Sequence, residues 1–316
     1  MSLSDATLMT STLSAVGRLP WGFGALLRML FAPLLRTSSR TDNARPIAPA
    51  RPVAMEEPGR RGFVSLVGAG PGSADLITLR GVERLKAADI VFYDRLVDPA
   101  LLAHTGAGTR CIYVGKAPDA HAWTQDRING ALVEAAASGL RAVRLKCGDP
   151  GVFARGAEEA AALSAAGVDW EIVPGVTAAA SAAAAAGSFL TARGETDTLV
   201  LTTGRLAECP VLNAAGDAPD WSGLLRPGTT LAIYMGVAAS RELLARLLAE
   251  GMPADLPVEI VHAAGTTGEA IHRTTLEALE ATIRERQVRN PAMILIRRPK
   301  MASACPAHAA ERLNAG

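Results

Sequence analysis

From Phe63 onward the chain alternates short apolar runs with stretches of helical spacing, a pattern that restricts it to an architecture of sheets and covering helices. Phe63-Val-Ser-Leu-Val67 is halted by Gly68 and reads as a buried strand. Ile90-Val-Phe-Tyr93 is halted by Asp94, Arg110-Cys-Ile-Tyr-Val114 by Gly115, and Trp170-Glu-Ile-Val173 by Pro174-Gly175. Ala142-Val-Arg-Leu145 is a further strand. Between these runs the spacing predicts helices over Leu79–Ala88, Thr124–Ser138 and Ala157–Ala166, the last two closed by Gly139 and Gly167. Thr177–Ala186 is almost all Ala, the best helix former, and lies between a Pro-Gly turn and Gly187. It predicts a helix with a thin, closely packed face. Strands are expected at Thr198–Leu201, Leu231–Tyr234, Val258–Val261 and Met293–Ile296, and helices at Ala239–Glu250 and Leu276–Arg286. Asp217–Gly228, with Pro219 and Pro227, reads as a loop.

The fold class is therefore α/β, with sheets expected to be parallel in large part. The 316 residues at about 150 per domain give two domains. We place the division at Pro174-Gly175: an α/β domain over 62–174, a second over 175–300 and a tail over 301–316. Residues 1–61 have another character. Arg18, Arg28, Arg36 and Arg40 occur with few acids, and Pro46, Pro49, Pro52 and Pro58 follow. This reads as a largely disordered extension and a Pro-rich linker. Its apolar stretch, Leu19–Leu35, is broken by Arg28 and Pro33 and is too short for a membrane span. Neither does it fit a secretory signal, whereas Arg-rich, acid-poor composition also admits organellar targeting.

Composition narrows the function classes. A net charge of +1 and only 4% aromatics supply neither the field nor the stacking platforms of a nucleic-acid binder. Cys111, Cys147, Cys209 and Cys305 are scattered without a CxxC pair. Histidines 104, 121, 262, 272 and 308 show no ligand spacing, so no metal is expected. A reducing, cytoplasmic compartment fits.

In open α/β sheets ligands bind beyond the carboxyl ends of strands, and the unusual residues of this chain gather there. Gly68-Ala-Gly70-Pro71-Gly72 would let backbone approach a ligand closely, or would merely make a tight turn. It is not GxGxxG, yet Asp94 stands about where a ribose-binding acid would, which leaves a nicotinamide-dependent oxidoreductase open. Asp94 itself could be a chemical group or a turn cap, with Arg95 solvated. Lys116, after the third strand, could hold an anion or donate a proton, or lie on plain surface. Arg144 to Gly156 packs glycines, Asp149 and flanking bases between strand and helix. Thr177 is an N-cap candidate at the junction that also admits a place facing the cleft.

The motifs VSLVGAGPGSADLITLRG, ADIVFYDRLV, IYVGK, VRLKCGDPGVF and IVPGVTAA occur in this order. Together with IYMG and the stretch from Met252 to Ala292 they resemble the uroporphyrinogen-III C-methyltransferases, of the tetrapyrrole methylase family, over about Gly62 to Arg298. EEPGRRGFVSLVGAGPG is similar to the junction at which this module follows another in siroheme synthases. The resemblance implies two α/β domains with S-adenosylmethionine in the cleft between them, a homodimer, and transfer of two methyl groups to pyrrole carbons of uroporphyrinogen III, giving precorrin-2 for siroheme, cobalamin or heme d1. By motif it implies Asp94 as proton acceptor and Lys116 as proton donor. It implies cofactor contacts at Pro71, Cys147, Gly148, Asp149, Val152, Thr177, Ala178, Met235 and Ala264. A substrate bearing many carboxylates needs cations, for which Arg95, Lys146, Arg155 and Arg193 join Lys116. The alternatives are a diverged methylase for another tetrapyrrole and a non-catalytic tetrapyrrole-binding protein. The chain departs from the family pattern at Ala117, Cys147, Gly151, Ala192, Arg205 and His262-Ala-Ala-Gly265. These positions cluster around the expected ligands, while the strands keep their pattern.

Overall fold

The computed structural model describes residues 62–115, 123–204 and 221–300, all within one compact unit of the chain. Lys116, Ala117 and Arg205, the expected extension over 1–61 and the tail over 301–316 lie outside the described residues.

Strands β1 (Phe63–Gly68), β2 (Ile90–Tyr93), β3 (Arg110–Tyr113), β4 (Arg141–Lys146) and β5 (Asp169–Val173) form one sheet in the order β3-β2-β4-β1-β5. Every neighbouring pair in it is parallel. The sheet is covered on both faces, which is why its central strands read as apolar runs rather than as alternating ones. Val64, Leu66, Ile90 and Phe92 pack with Leu132, Leu163 and Trp170. Val67, Val91, Val143 and Leu145 pack with Leu85 and Leu101. Helices α1 (Leu79–Lys86), α2 (Gln125–Ala137) and α3 (Gly156–Ala165) supply Leu85, Leu132 and Leu163 respectively. Thr78 caps α1 by accepting from Gly81 N at 3.1 Å, and Thr124 caps α2 by accepting from Arg127 N at 3.2 Å. Each such cap contributes about 1 kcal/mol.

The second sheet holds β6 (Thr198–Thr203), β7 (Thr229–Tyr234), β8 (Pro257–His262), β9 (Ala270–Thr275) and β10 (Ala292–Arg298), in the order β6-β7-β10-β8-β9. Only β6 and β7 pair in parallel; β10 runs antiparallel to both β7 and β8, and β8 to β9. The expectation of a largely parallel second sheet is thus corrected. β9 has no counterpart among the expected strands. Its sequence, Ala-Ile-His-Arg-Thr-Thr, lies at the sheet edge with no fully buried residue, so no apolar run marks it. A short helix, α5 (Trp221–Leu224), occupies part of the stretch expected as a loop.

Helix α4 (Ala178–Ala185) is the alanine run. Ala179, Ala182, Ala183 and Ala186 lie buried against Ala232, Tyr234, Met293 and Leu295 of the second sheet. Small side chains let the helix axis come close to the strands. Its far end is tied down by polar contacts: Ser188 Oγ donates to Glu259 Oε2 at 2.8 Å, and Arg297 donates to the same oxygen at 2.7 Å. Helices α6 (Ser240–Ala249) and α7 (Leu279–Glu285) bury Leu243, Leu247, Leu279 and Ile283 on the opposite side. No helix among the described residues is long and apolar enough to cross a membrane.

Candidate functional site

The glycine loops meet at the carboxyl end of the first sheet. Gly70 and Gly148 form an isolated antiparallel bridge, Gly148 N donating to Gly70 O at 2.9 Å and Gly70 N to Gly148 O at 3.3 Å. At Gly68 any side chain is excluded, since a Cβ there would lie 2.6 Å from Gly175 Cα and 2.7 Å from Gly148 O. The loop after β1 also reaches the second sheet: a Cβ on Gly72 would fall 2.4 Å from Ala264 O. Gly148 differs. Its φ is +72° and a Cβ would meet nothing closer than Ala178 N at 3.9 Å. A Cβ there would make only ordinary van der Waals contacts, although Gly148 itself is buried.

Asp149 shapes this junction. Its Oδ1 accepts from Gly151 N at 2.7 Å and its Oδ2 from Gly175 N at 3.0 Å, so the carboxylate bolts the loop after β4 to the crossing between the sheets. Val152, Ala178, Met235 and Ala264 are brought together, all half-buried against the same cluster of α4 and the second sheet. Pro71 is buried; Cys147 and Thr177 are half-buried. The Thr177 side chain makes no cap bond to α4. It shares a short hydrogen bond with the Tyr234 hydroxyl instead, and Tyr234 takes the Ala179 N–H at 3.3 Å. Phe153 leans on the Tyr234 ring with centroids 4.9 Å apart.

Backbone strain concentrates here. Phe153, Arg155, Met235 and Ala263 hold φ of 50°, 58°, 54° and 46°. Such conformations cost about 1–3 kcal/mol each and persist where the surroundings enforce them, often at ligand clamps. A surface cavity of about 460 Å³ is lined by Lys86, Asp89, Thr109 and Arg110. It opens at the amino ends of β2 and β3, the wrong end of a parallel sheet for ligand chemistry.

Asp94 follows β2. Its Oδ1 accepts from Leu96 N at 3.3 Å, and Val97 N donates to its carbonyl at 3.3 Å, so it does cap a turn. Its Oδ2 meets Arg144 Nη2 at 3.2 Å, and its side chain remains 28% exposed. Cys147 lies close enough to feel this carboxylate: burial, with Asp94 adding to it, pushes its thiol up to about 12. Cys147 is an uncharged, free thiol at neutral pH.

The expected cations divide. Arg95, Arg155 and Arg193 are exposed. Arg155 is drawn to Glu158, Nε to Oε1 at 2.7 Å, and that hydrogen bond raises its pKa while lowering that of Glu158. Lys146 lies apart from these: it is 3% exposed, and its ammonium sits 2.8 Å from Glu159, itself fully buried. Burial and neighbouring Arg144 lower its pKa. The residues that sequence reasoning passed over are Arg144, Glu159 and Tyr234. Arg144 was visible inside its motif, but an arginine in a strand gives no sign of what it grips. Glu159 is one of two adjacent helix glutamates, and only the fold shows which one turns inward.

A parallel sheet ending in glycine loops stands beside a mixed sheet across a strained junction, an α/β arrangement of two sheets. The family of tetrapyrrole (corrin/porphyrin) methylases matches residues 64–280, and the chain belongs to that family. It is 43% identical over 235 residues to a uroporphyrinogen-III C-methyltransferase of Paracoccus denitrificans, covering 74% of this chain and 80% of that one. It is 42% identical to a siroheme synthase of Gluconacetobacter diazotrophicus over 74% of this chain, but spans only 49% of that protein. The fold superposes on a uroporphyrin-III C-methyltransferase of Thermus thermophilus complexed with S-adenyl homocysteine, with TM-score 0.61 and 35% identity over 74% of this chain and 92% of the other. A cobalt precorrin-4 methyltransferase superposes with TM-score 0.62 and 31% identity, over 74% and 94%.

Proposed function

We propose that the chain is an S-adenosylmethionine-dependent methyltransferase that adds two methyl groups to pyrrole carbons of uroporphyrinogen III, releasing precorrin-2 and S-adenosylhomocysteine. The observation that carries this is the convergence of Gly148, Val152, Ala178, Met235 and Ala264 on one slot, in a chain 43% identical to a uroporphyrinogen-III C-methyltransferase. The product would serve siroheme, cobalamin or heme d1 synthesis.

Pro71, Cys147, Gly148, Val152, Thr177, Ala178, Met235 and Ala264 would hold the cofactor, with Asp149 shaping the loop that does so. When bound, the cofactor supplies a methyl group already activated on a cationic sulfonium. The protein's main task is then alignment of the acceptor carbon, which can supply roughly 7–11 kcal/mol of the barrier. Asp94 takes the proton that the methylated ring must shed. Lys116 is the proposed proton donor. Arg95, Arg155 and Arg193 are exposed cations available to the substrate's carboxylates, and Lys146 is withdrawn from that set by its burial. The division between residues 62–174 and 175–300, a homodimeric assembly and a cytoplasmic location belong to the same reading.

The test is an anaerobic assay of the purified chain with S-adenosylmethionine and uroporphyrinogen III, followed by mass. Two methyl additions, abolished by Asp94→Ala, are expected. Binding of S-adenosylhomocysteine without methyl transfer would point to a different tetrapyrrole. Absence of cofactor binding would overturn the reading.

A further inference from the structure

Behind Asp94 lies a chain of four charged side chains, three of them almost out of reach of water. Arg144 is 4% exposed, Lys146 3% and Glu159 0%. The signs alternate from Asp94 to Arg144 to Glu159 to Lys146. Arg144 Nη2 is 3.2 Å from Asp94 Oδ2, Arg144 Nε is 3.0 Å from Glu159 Oε1, and Lys146 Nζ is 2.8 Å from the same carboxylate. Arg144 Nη1 donates to the carbonyls of Leu145 at 3.0 Å and Phe92 at 3.4 Å. Gln125 Nε2 adds a longer contact to Glu159 Oε1 at 3.4 Å.

A buried ion set of this kind is poor evidence of stability, because desolvation offsets most of the attraction and apolar side chains of similar volume often serve as well. Its geometry carries more meaning than its energy. The guanidinium is a planar fork with five donors at fixed angles. Two edges of that fork are taken by Glu159 and by backbone carbonyls, which leaves the Nη2 edge as the only way for it to address anything else. That edge points to Asp94. The other Asp94 oxygen is held by the Leu96 N–H. The carboxylate is therefore gripped once on each oxygen and keeps its remaining lone pairs for the solvent-facing side.

We propose that Arg144 is the positioning residue of Asp94: anchored by Glu159 and the Phe92 and Leu145 carbonyls, it sets the carboxylate in the orientation from which the ring proton is taken. Lys146 completes the set by balancing Glu159, so that Arg144 is not drawn wholly toward that acid. The proposal rests on Asp94 being the proton acceptor.

Four variants test it: Arg144→Lys, the charge-balanced double variant Arg144→Met with Glu159→Gln, and Asp94→Asn alone and combined with Arg144→Lys. Each is measured for kcat, for KM of both substrates, and for S-adenosylhomocysteine affinity by calorimetry, which reports an intact cleft. Lysine keeps the charge but cannot reproduce the fork. The expected result is a fall of about 10- to 100-fold in kcat for both Arg144 variants, with cofactor affinity within about threefold of wild type. No further loss from Arg144→Lys is expected once Asp94 is Asn. Wild-type kcat in either Arg144 variant, with Asp94→Asn reduced to a low but measurable rate, overturns the positioning role and leaves the acceptor reading standing. Full activity of Asp94→Asn overturns the acceptor reading and this proposal with it. An additional fall from Arg144→Lys in the Asp94→Asn background would show that Arg144 acts elsewhere.

Discussion

The Tyr234 hydroxyl, at the last position of β7 in the second sheet, is hydrogen-bonded to Thr177 Oγ1 at the head of α4, and it also takes the Ala179 N–H. A residue of one sheet thus supplies the helix cap that Thr177 would ordinarily make for itself. It does so from beneath the strained Met235, with Phe153 packed on its ring. Tyr234→Phe removes the hydroxyl and little else. We predict a stability loss of about 1 kcal/mol in urea unfolding and several-fold weaker S-adenosylhomocysteine binding by calorimetry. Unchanged affinity would separate Thr177 from the cofactor.

Two glycines a few ångströms apart should respond differently to the same methyl group. At Gly68 an added Cβ has no room beside Gly175 and Gly148, so Gly68→Ala should destabilise by about 1–3 kcal/mol or more and lose cofactor binding as a consequence. Gly148→Ala meets only the conformational cost of φ +72°, about 1–2 kcal/mol. Its fold should survive, while S-adenosylhomocysteine affinity falls at least tenfold by our estimate of a lost close contact. Wild-type affinity in Gly148→Ala would show that the ligand lies elsewhere.

Asp149→Asn keeps one acceptor and turns an amide toward a backbone N–H. Because both carboxylate oxygens are engaged, by Gly151 N and Gly175 N, the variant should lose about 1–3 kcal/mol. Chemical denaturation followed beside cofactor titration measures both effects. A stable variant would mean that the loop after β4 holds its shape without this bolt.

Cys147 should be inert toward alkylation. Its pKa of about 12, against an ordinary value of 9.0, lowers the thiolate fraction at pH 8 about a thousandfold relative to a free thiol. Iodoacetamide at that pH should label the exposed Cys111 well before Cys147, as read by peptide mass mapping. The linkage has a definite sign. Between pH 9 and about 12 the unfolded chain sheds a proton that the folded chain keeps, so stability falls as pH rises through that window. Cys147→Ala should flatten this alkaline decline; an identical decline in the variant would assign it to other groups.

The legible parts of the sequence were those in which one physical requirement dominates. A central parallel strand must be apolar on both faces, so β1, β2 and β4 announce themselves, and glycines near their ends mark the loops. β9 did not, because an edge strand needs no apolar run. The sense of pairing in the second sheet was not legible either: strand patterns carry no sign of direction, and β10 inserts between β7 and β8. At the site, backbone-dominated positions such as Gly148 and Met235 could be read locally. Arg144, Lys146 and Tyr234 could not, because what they do depends on partners 50, 13 and 57 residues away.

The placement of β10 gives the two sheets different histories during synthesis. The first sheet has all its strands once Val173 has been made. The second has its centre missing until Ala292–Arg298 is added, since β10 alone joins β7 to β8. That is about 120 residues later, or roughly 6–25 s at ribosomal rates of about 5–20 residues per second. Through that interval the first sheet waits beside an unfinished second one, and ribosome-stalled chains ending before residue 290 should show protease protection over β1–β5 and none over β7 and β8. The second sheet becomes continuous only with this last strand.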